Sequence, residues 1–229
     1  MTSLNLYATR FDQVMSLLES KSSTSHIIVD TPGQIEAFTW SSAGQIMTEL
    51  LASSFPTHLT YVVDTVRCAG PSTFMSNMLY ALSMSFRSRL PLQVVFNKCD
   101  LADASFLKEW MSDYEAFSGA LDSASDSYYD SLTRSLGMSL DQFYSSLEPV
   151  QASAALGTGI EEYVGASVRR REEYFSGYLQ DVRARREEQK VKREVVARKA
   201  REDSMRRLEE DIEKGKGGGE KRKDQEATP

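Results

Sequence analysis

The stretch LQVVFNKCD, residues 92–100, decides how the rest of the chain is read. Its first half is a short run rich in β-branched residues, and its second half turns abruptly polar at Asn97-Lys98-Cys99-Asp100. A brief apolar run bounded by turn-forming residues is the pattern of a buried strand. Working outward, similar runs recur at 27–29, 59–63 and 149–152, separated by segments long enough for helices. Residues 41–54, 71–88 and 104–121 carry apolar positions at helical spacing, among them Phe74, Met78, Leu79 and Leu82. Strands alternating with helices of this length predict an α/β domain with a parallel sheet and crossover helices.

In an open parallel sheet, ligands sit outside the carboxyl ends of the strands, so the residues just after each run are the candidates for chemistry. Asp30 ends the first run and Gly33 follows in the turn, within IIVDTPGQIE. A carboxylate there can hold Mg²⁺ directly or through water, and Gly33 lets backbone N–H approach a terminal phosphate. An ordinary Pro-Gly turn after a strand accounts for the same residues. Asn97-Lys98-Cys99-Asp100 is more specific. The Asp100 carboxylate can accept from the N1–H and 2-amino group of guanine, which adenine does not offer in those positions. Asn97 would support the loop and the base edge, and the stem of Lys98 can lie along the flat face of the ring. The last run leads into Ala152-Ser153-Ala154-Ala155-Leu156-Gly157, where Ser153 and Ala154 suit a loop presenting N–H groups to a carbonyl such as guanine O6.

Composition narrows the classes. The chain has 229 residues, enough for one α/β domain and an appendage. Two cysteines, Cys68 and Cys99, and two histidines, His26 and His58, give neither a disulfide framework nor a metal site at ligand spacing. No apolar run approaches the roughly 20 residues of a membrane span. The net charge of −6 is unevenly spread: residues 1–168 hold 8 basic and 18 acidic residues, residues 169–229 hold 19 and 15. A basic arm for nucleic acid is a poor match, because its Lys and Arg are interleaved with Glu and Asp and aromatics are few.

Between 122 and 148 the pattern loosens into SASDSYYDSL, followed by an amphipathic piece, MSLDQFYSSL. A helical insertion and a long surface connection are both compatible with it. From Arg169 onward apolar residues are sparse (Phe175, Leu179, Val182, Val191, Val195, Leu208, Ile212), which predicts one or two long exposed helices. The run at 215–219 and EKRKDQEATP predict a disordered terminus. Trp40 and Trp110 are expected in the core. The Arg169-Arg170-Arg171 triplet reads as a solvated helix face or an import signal.

Taken together, DTPGQIE at 30–36, FTWSSAG at 38–44, ASSFPT at 52–57 and FMSNMLYA at 74–81 resemble the GPN-loop GTPases. Within them the chain is similar to the eukaryotic branch, the XPA-binding protein type, which acts on RNA polymerase II. The opening MTSLNLYATRFDQV, with FYSSL and SAALGTG near 143–159, extends the resemblance over about residues 1–175. It implies a P-loop NTPase-like sheet, a partial GTPase domain at 1–175 with a helical insertion about 102–148, a charged helical tail at 176–214 and a disordered terminus at 215–229. It further implies GTP and Mg²⁺ as cofactors, Asp30 as the metal position, and Gln34 and Glu36 in the segment that orders the attacking water. The implied protein is a GTP-hydrolysing switch that shuttles between cytoplasm and nucleus, assists RNA polymerase II assembly and import, and meets polymerase subunits and chaperones. It would act as a homodimer or as a heterodimer with another member of the family.

One departure is large. Such a switch needs a Gly-rich loop ending in Gly-Lys-Ser/Thr to hold the β- and γ-phosphates. The sequence holds neither that loop nor a Gly-Pro-Asn tripeptide, and its Gly215-Lys216 pair continues into Gly217. Both elements belong upstream of Met1 in the family. The fold expected is therefore N-terminally truncated, lacking the first strand and P-loop. Poor GTP binding and marginal folding are expected to follow. The rival expectation is an interaction protein that binds chaperone or polymerase partners without nucleotide turnover.

Overall fold

A computed structural model describes residues 2–21, 23–34, 38–124 and 128–184, together with 187, 188, 191, 192 and 196. Two units divide the chain, Met1–Tyr178 and Leu179–Pro229.

In the first unit the sheet is built around the LQVVFN segment. Strand β2 (Leu92–Asn97) lies between β1 (Leu59–Asp64) and β3 (Val150–Gln151), and both pairings are parallel. Leu59 pairs in register with Leu92 and Asp64 with Asn97, so the ends of β1 and β2 fall level. Residues Leu92 to Phe96 are all buried, as expected of a central parallel strand covered on both faces. Even Gln93 is fully buried, and its amide is satisfied: Nε2 donates to the carbonyls of Val94 and Glu148 and Oε1 accepts from Arg170 Nε.

The flanking helices begin and end where local chemistry dictates. Two helices open the chain, α1 (Thr2–Ala8) and α2 (Phe11–Ser20), and α3 (Ser42–Ser54) follows. Ser41 caps α3 by accepting from the Gly44 N–H at 3.0 Å. Phe11, Met15 and Met47 form a small apolar cluster, with Leu4 of α1 packed against it. Helix α4 (Pro71–Ser88) starts with Pro at its first position and stops at Arg89 in the left-handed conformation. Phe74, Met75, Met78 and Ala81 recur at helical spacing on its buried face against the sheet.

Residues 104–121 form two helices rather than one, α5 (Ser105–Ser112) and α6 (Tyr114–Ala124). Asp113 makes the break: its Oδ1 accepts from the N–H of Glu115 at 2.8 Å and starts a new helix. Within the ambiguous stretch that follows, Tyr128–Ser145 form helix α7. Trp110, Phe117 and Tyr144 pack their rings around Phe74 and join the insertion to the main core. Helix α8 (Ile160–Glu173) runs into a π-helical turn at Tyr174–Tyr178.

Three sequence expectations do not hold. Ile27, Ile28 and Val29 form no strand: they are exposed, Ile28 at 88%. A strand exists only where a neighbour's backbone completes its ladder, and among the described residues β1 forms no ladder with this segment. Trp40 lies about half exposed beneath the Arg87 guanidinium, 5.5 Å from its ring centre, whereas Trp110 packs against the core. In the arginine triplet Arg169 and Arg171 are exposed but Arg170 is buried at 4%. Its guanidinium is taken up by Gln93 and by Glu173, the latter at 2.5 Å, so the triplet is not a uniformly solvated face.

In the second unit the described residues are helical, and Lys192 pairs with Glu188 one turn away at 2.6 Å. Val195, Leu208, Ile212 and the terminus at 215–229 lie outside the described residues. Among the described residues no helix is long and apolar enough to cross a membrane.

Candidate nucleotide site

At the carboxyl end of the sheet, β2 and β3 deliver two loops that are tied together. The loop after β2 begins with Asn97, whose Oδ1 accepts from the Ala154 N–H at 3.1 Å. Cys99 donates its N–H to the carbonyl of Ala152. Asp100 Oδ1 accepts from the Ser153 hydroxyl at 2.5 Å, and Ser153 Oγ in turn accepts from the Leu156 N–H at 3.2 Å. Asn97, Asp100, Ser153 and Ala154, drawn from two motifs some fifty residues apart in the chain, thus form one constellation. With Ser153 holding one oxygen, Asp100 keeps its other oxygen and further lone pairs for a ligand's donors.

Lys98 adopts the left-handed conformation (φ 68°). Its carbonyl accepts from the N–H groups of Leu101 and Ala102. Its ammonium reaches Asp64 Oδ2 at 2.7 Å. That bond holds the Asp64 carboxyl below the usual carboxylate range, assisted by the Arg67 N–H. Sequence reasoning missed Asp64. The signal is in the sequence, since LTYVVD ends an apolar run in Asp64 just as IIVD ends one in Asp30.

A second missed residue is Gly159, which closes the Ser153 loop with φ 77°. A Cβ there would lie 2.0 Å from the Gln151 carbonyl oxygen, so only glycine fits. The antiparallel bridge between Ser153 and Thr158 makes the loop a closed turn.

Among the other candidates, Asp30, Gly33 and Gln34 are exposed. A Cβ at Gly33 would meet nothing within 4 Å, so no packing demands glycine there. Glu36 lies outside the described residues. Among the described residues no group of three His, Cys, Asp or Glu side chains could hold a metal ion. A single carboxylate such as Asp30 suits Mg²⁺ only in the mode where nucleotide phosphates and water complete the shell.

The sequence profile of a family described as "Conserved hypothetical ATP binding protein" matches residues 1–168. A protein named GPN-loop GTPase 1 from Dictyostelium discoideum is 46% identical over 217 residues, covering 94% of this chain and 54% of its own length. The chain belongs to the GPN-loop GTPase family. GPN-loop GTPase QQT2 from Arabidopsis thaliana is 49% identical over 81% of this chain and 49% of its own length. GPN-loop GTPase 1 from Saccharomyces cerevisiae is 42% identical over 90% of this chain and 56% of its own length. The chain thus spans about half the length of the GPN-loop GTPases it matches. Among solved structures, a GTPase in apo form from Pyrococcus abyssi aligns with a TM-score of 0.62 at 18% identity, over 74% of this chain and 68% of its own. That likeness places the GPN-loop chain in the same α/β fold.

Proposed function

We propose that this chain reads the guanine base of GTP and contributes to a GTP-hydrolysing switch. The observation that carries the reading is the Ser153–Asp100 contact, braced by Asn97 and Ala154. An anionic acceptor, fixed by a neighbouring hydroxyl and close to N–H groups of a second loop, is complementary to the donor-donor-acceptor edge of guanine. Adenine would cover Asp100 without pairing it, and a charge shielded from water and left unpaired is heavily penalised. This favours guanine over the adenine suggested by the family's description.

Bound GTP would bring Mg²⁺, which neutralises charge on the phosphates; Asp30 is the carboxylate that family resemblance assigns to its shell. Gln34 and Glu36 are assigned to ordering the attacking water on the same ground. The resemblance also supports a role in RNA polymerase II assembly and nuclear import, with polymerase subunits and chaperones as partners, a dimeric state and shuttling between cytoplasm and nucleus.

Titrating the purified chain with a fluorescent GTP analogue in Mg²⁺, against an ATP analogue, tests the base reading. Weak but saturable, guanine-selective binding that Asp100→Asn abolishes is expected, because the sequence holds no Gly-rich phosphate loop. The amide introduced by that change offers a donor where the carboxylate only accepts, so the variant should gain xanthine nucleotides, whose 2-oxo group accepts. A folded chain with no saturable binding would leave the interaction-protein reading in its place.

A further inference from the structure

We propose that Asp64 is a positioning residue for the guanine-reading loop, acting through Lys98; the inference rests on the base reading above. Three observations place Asp64 in this part. It ends β1 level with Asn97, the last residue of β2, so the two polar residues leave the sheet side by side. Its own carboxylate is fixed: Oδ1 accepts from the Arg67 N–H at 3.2 Å, and its carbonyl accepts from the Cys68 N–H at 3.0 Å. From that post Oδ2 holds Lys98 Nζ at 2.7 Å.

Lys98 is where the loop needs a hold. A residue with a Cβ adopts positive φ rarely, and at Lys98 this reversal separates Asn97, turned to the Ala154 N–H, from Asp100, turned to the Ser153 hydroxyl. The carbonyl of Lys98 already takes the Leu101 and Ala102 N–H groups, so the backbone is anchored on one side and the ammonium on the other. Asp64 acts at one remove from the base. Its effect is to keep the left-handed turn, and with it the direction of Asp100, set before nucleotide arrives. It also fixes the Lys98 stem, which can then cover one face of the ring.

Asp64→Asn keeps the size of the side chain and its acceptor for Arg67 N–H but gives up the ionic contact to Lys98, along with a longer one to the Arg67 guanidinium at 3.8 Å. Two readouts on the full chain test the proposal. Amide hydrogen exchange without nucleotide is expected to speed up by about threefold or more at Leu101, Ala102 and Ala154, with Val94 and Phe96 in the sheet unchanged. Affinity for the fluorescent GTP analogue is expected to fall about threefold to fivefold, the scale of one partly exposed charged contact. The charge-swapped pair D64K/K98D is expected to recover part of the exchange protection that Lys98→Asp alone loses. Unchanged exchange at Leu101 and Ala102 in Asp64→Asn overturns the proposal whether or not the chain binds GTP. Faster exchange with unaltered affinity overturns it too, because the turn would then not position the base reader. If the wild-type chain binds no GTP, the base reading fails, and the exchange result alone decides whether Asp64 sets the turn.

Discussion

The Ser153 hydroxyl donates to Asp100 Oδ1 at 2.5 Å and accepts from the Leu156 N–H, so one side chain fixes both the carboxylate of one loop and the backbone of the other. Replacing it by alanine removes the donor without adding bulk. Asp100 would then rotate freely and meet the base at an entropic cost, while the Leu156 N–H would lose its acceptor. Ser153→Ala is expected to weaken GTP-analogue binding about tenfold, the scale of one hydrogen bond to a charged group. Fluorescence titration measures it, and an unchanged Kd would show that Asp100 is oriented by something else.

Gly159 offers a test in which no ligand-contacting atom is altered. At φ 77°, with the Gln151 carbonyl oxygen 2.0 Å from any added Cβ, alanine forces the loop away from β3. Gly159→Ala should cost about 2 kcal/mol or more in urea unfolding and should also weaken nucleotide binding. Gly157, equally left-handed but with nothing within 4 Å of its Cβ position, provides the comparison. Gly157→Ala should cost only the backbone strain, about 1–2 kcal/mol. Equal losses in the two variants would show that the close approach to Gln151 is relieved without cost.

How much of this was legible beforehand depended on whether a pattern was local. Strand β2 and its NKCD loop could be read because a fully buried parallel strand leaves a continuous apolar run and the motif follows it directly. The start of α4 was legible for the same reason, with Pro71 at its first position. Residues 27–29 misled because three apolar residues look alike whether or not a neighbouring strand completes their ladder, and that neighbour is a tertiary fact. Arg170 was read with its flanking arginines because composition cannot show that Gln93, 77 positions away, waits beneath it. Asp64 escaped notice because its partner Lys98 is 34 residues distant. Asp30 and Gly33 had a motif to recommend them, and both are exposed.

The two cysteines should separate cleanly. Burial pushes the Cys68 thiol up to about 11, so at about pH 8 almost none of it is the reactive thiolate. Cys99 is only partly buried and lies between Lys98 and Asp100. Iodoacetamide at about pH 8, followed by mass spectrometry, is expected to modify Cys99 first and Cys68 only when the protein is unfolded. GTP with Mg²⁺ should slow the reaction at Cys99 by about threefold or more if base and loop meet as proposed. Faster labelling of Cys68 than of Cys99 in the folded chain would contradict the packing around α4.

His58 links the far end of the sheet to pH. Its pKa is lowered, chiefly by burial and then by the Arg170 charge and by His26, with Glu173 acting in the opposite direction. Its Nε2 is buried without a hydrogen-bond partner. The folded chain therefore resists the proton that an unfolded histidine takes up near about pH 6.5. As pH falls through that value the unfolded state binds more protons than the native one, and stability declines with it down to the lowered folded pKa. Asp64, whose pKa is also lowered, contributes its loss only at more acid pH, as the pH falls from the ordinary carboxylate range through its folded value. Urea midpoints measured at about pH 7.5 and about pH 5.5, either side of the unfolded histidine value, should thus drop for the wild type. They should drop less for His58→Phe, which removes both the titration and the orphaned nitrogen. Equal drops in the two proteins would assign the pH dependence to other groups and leave His58 a packing residue.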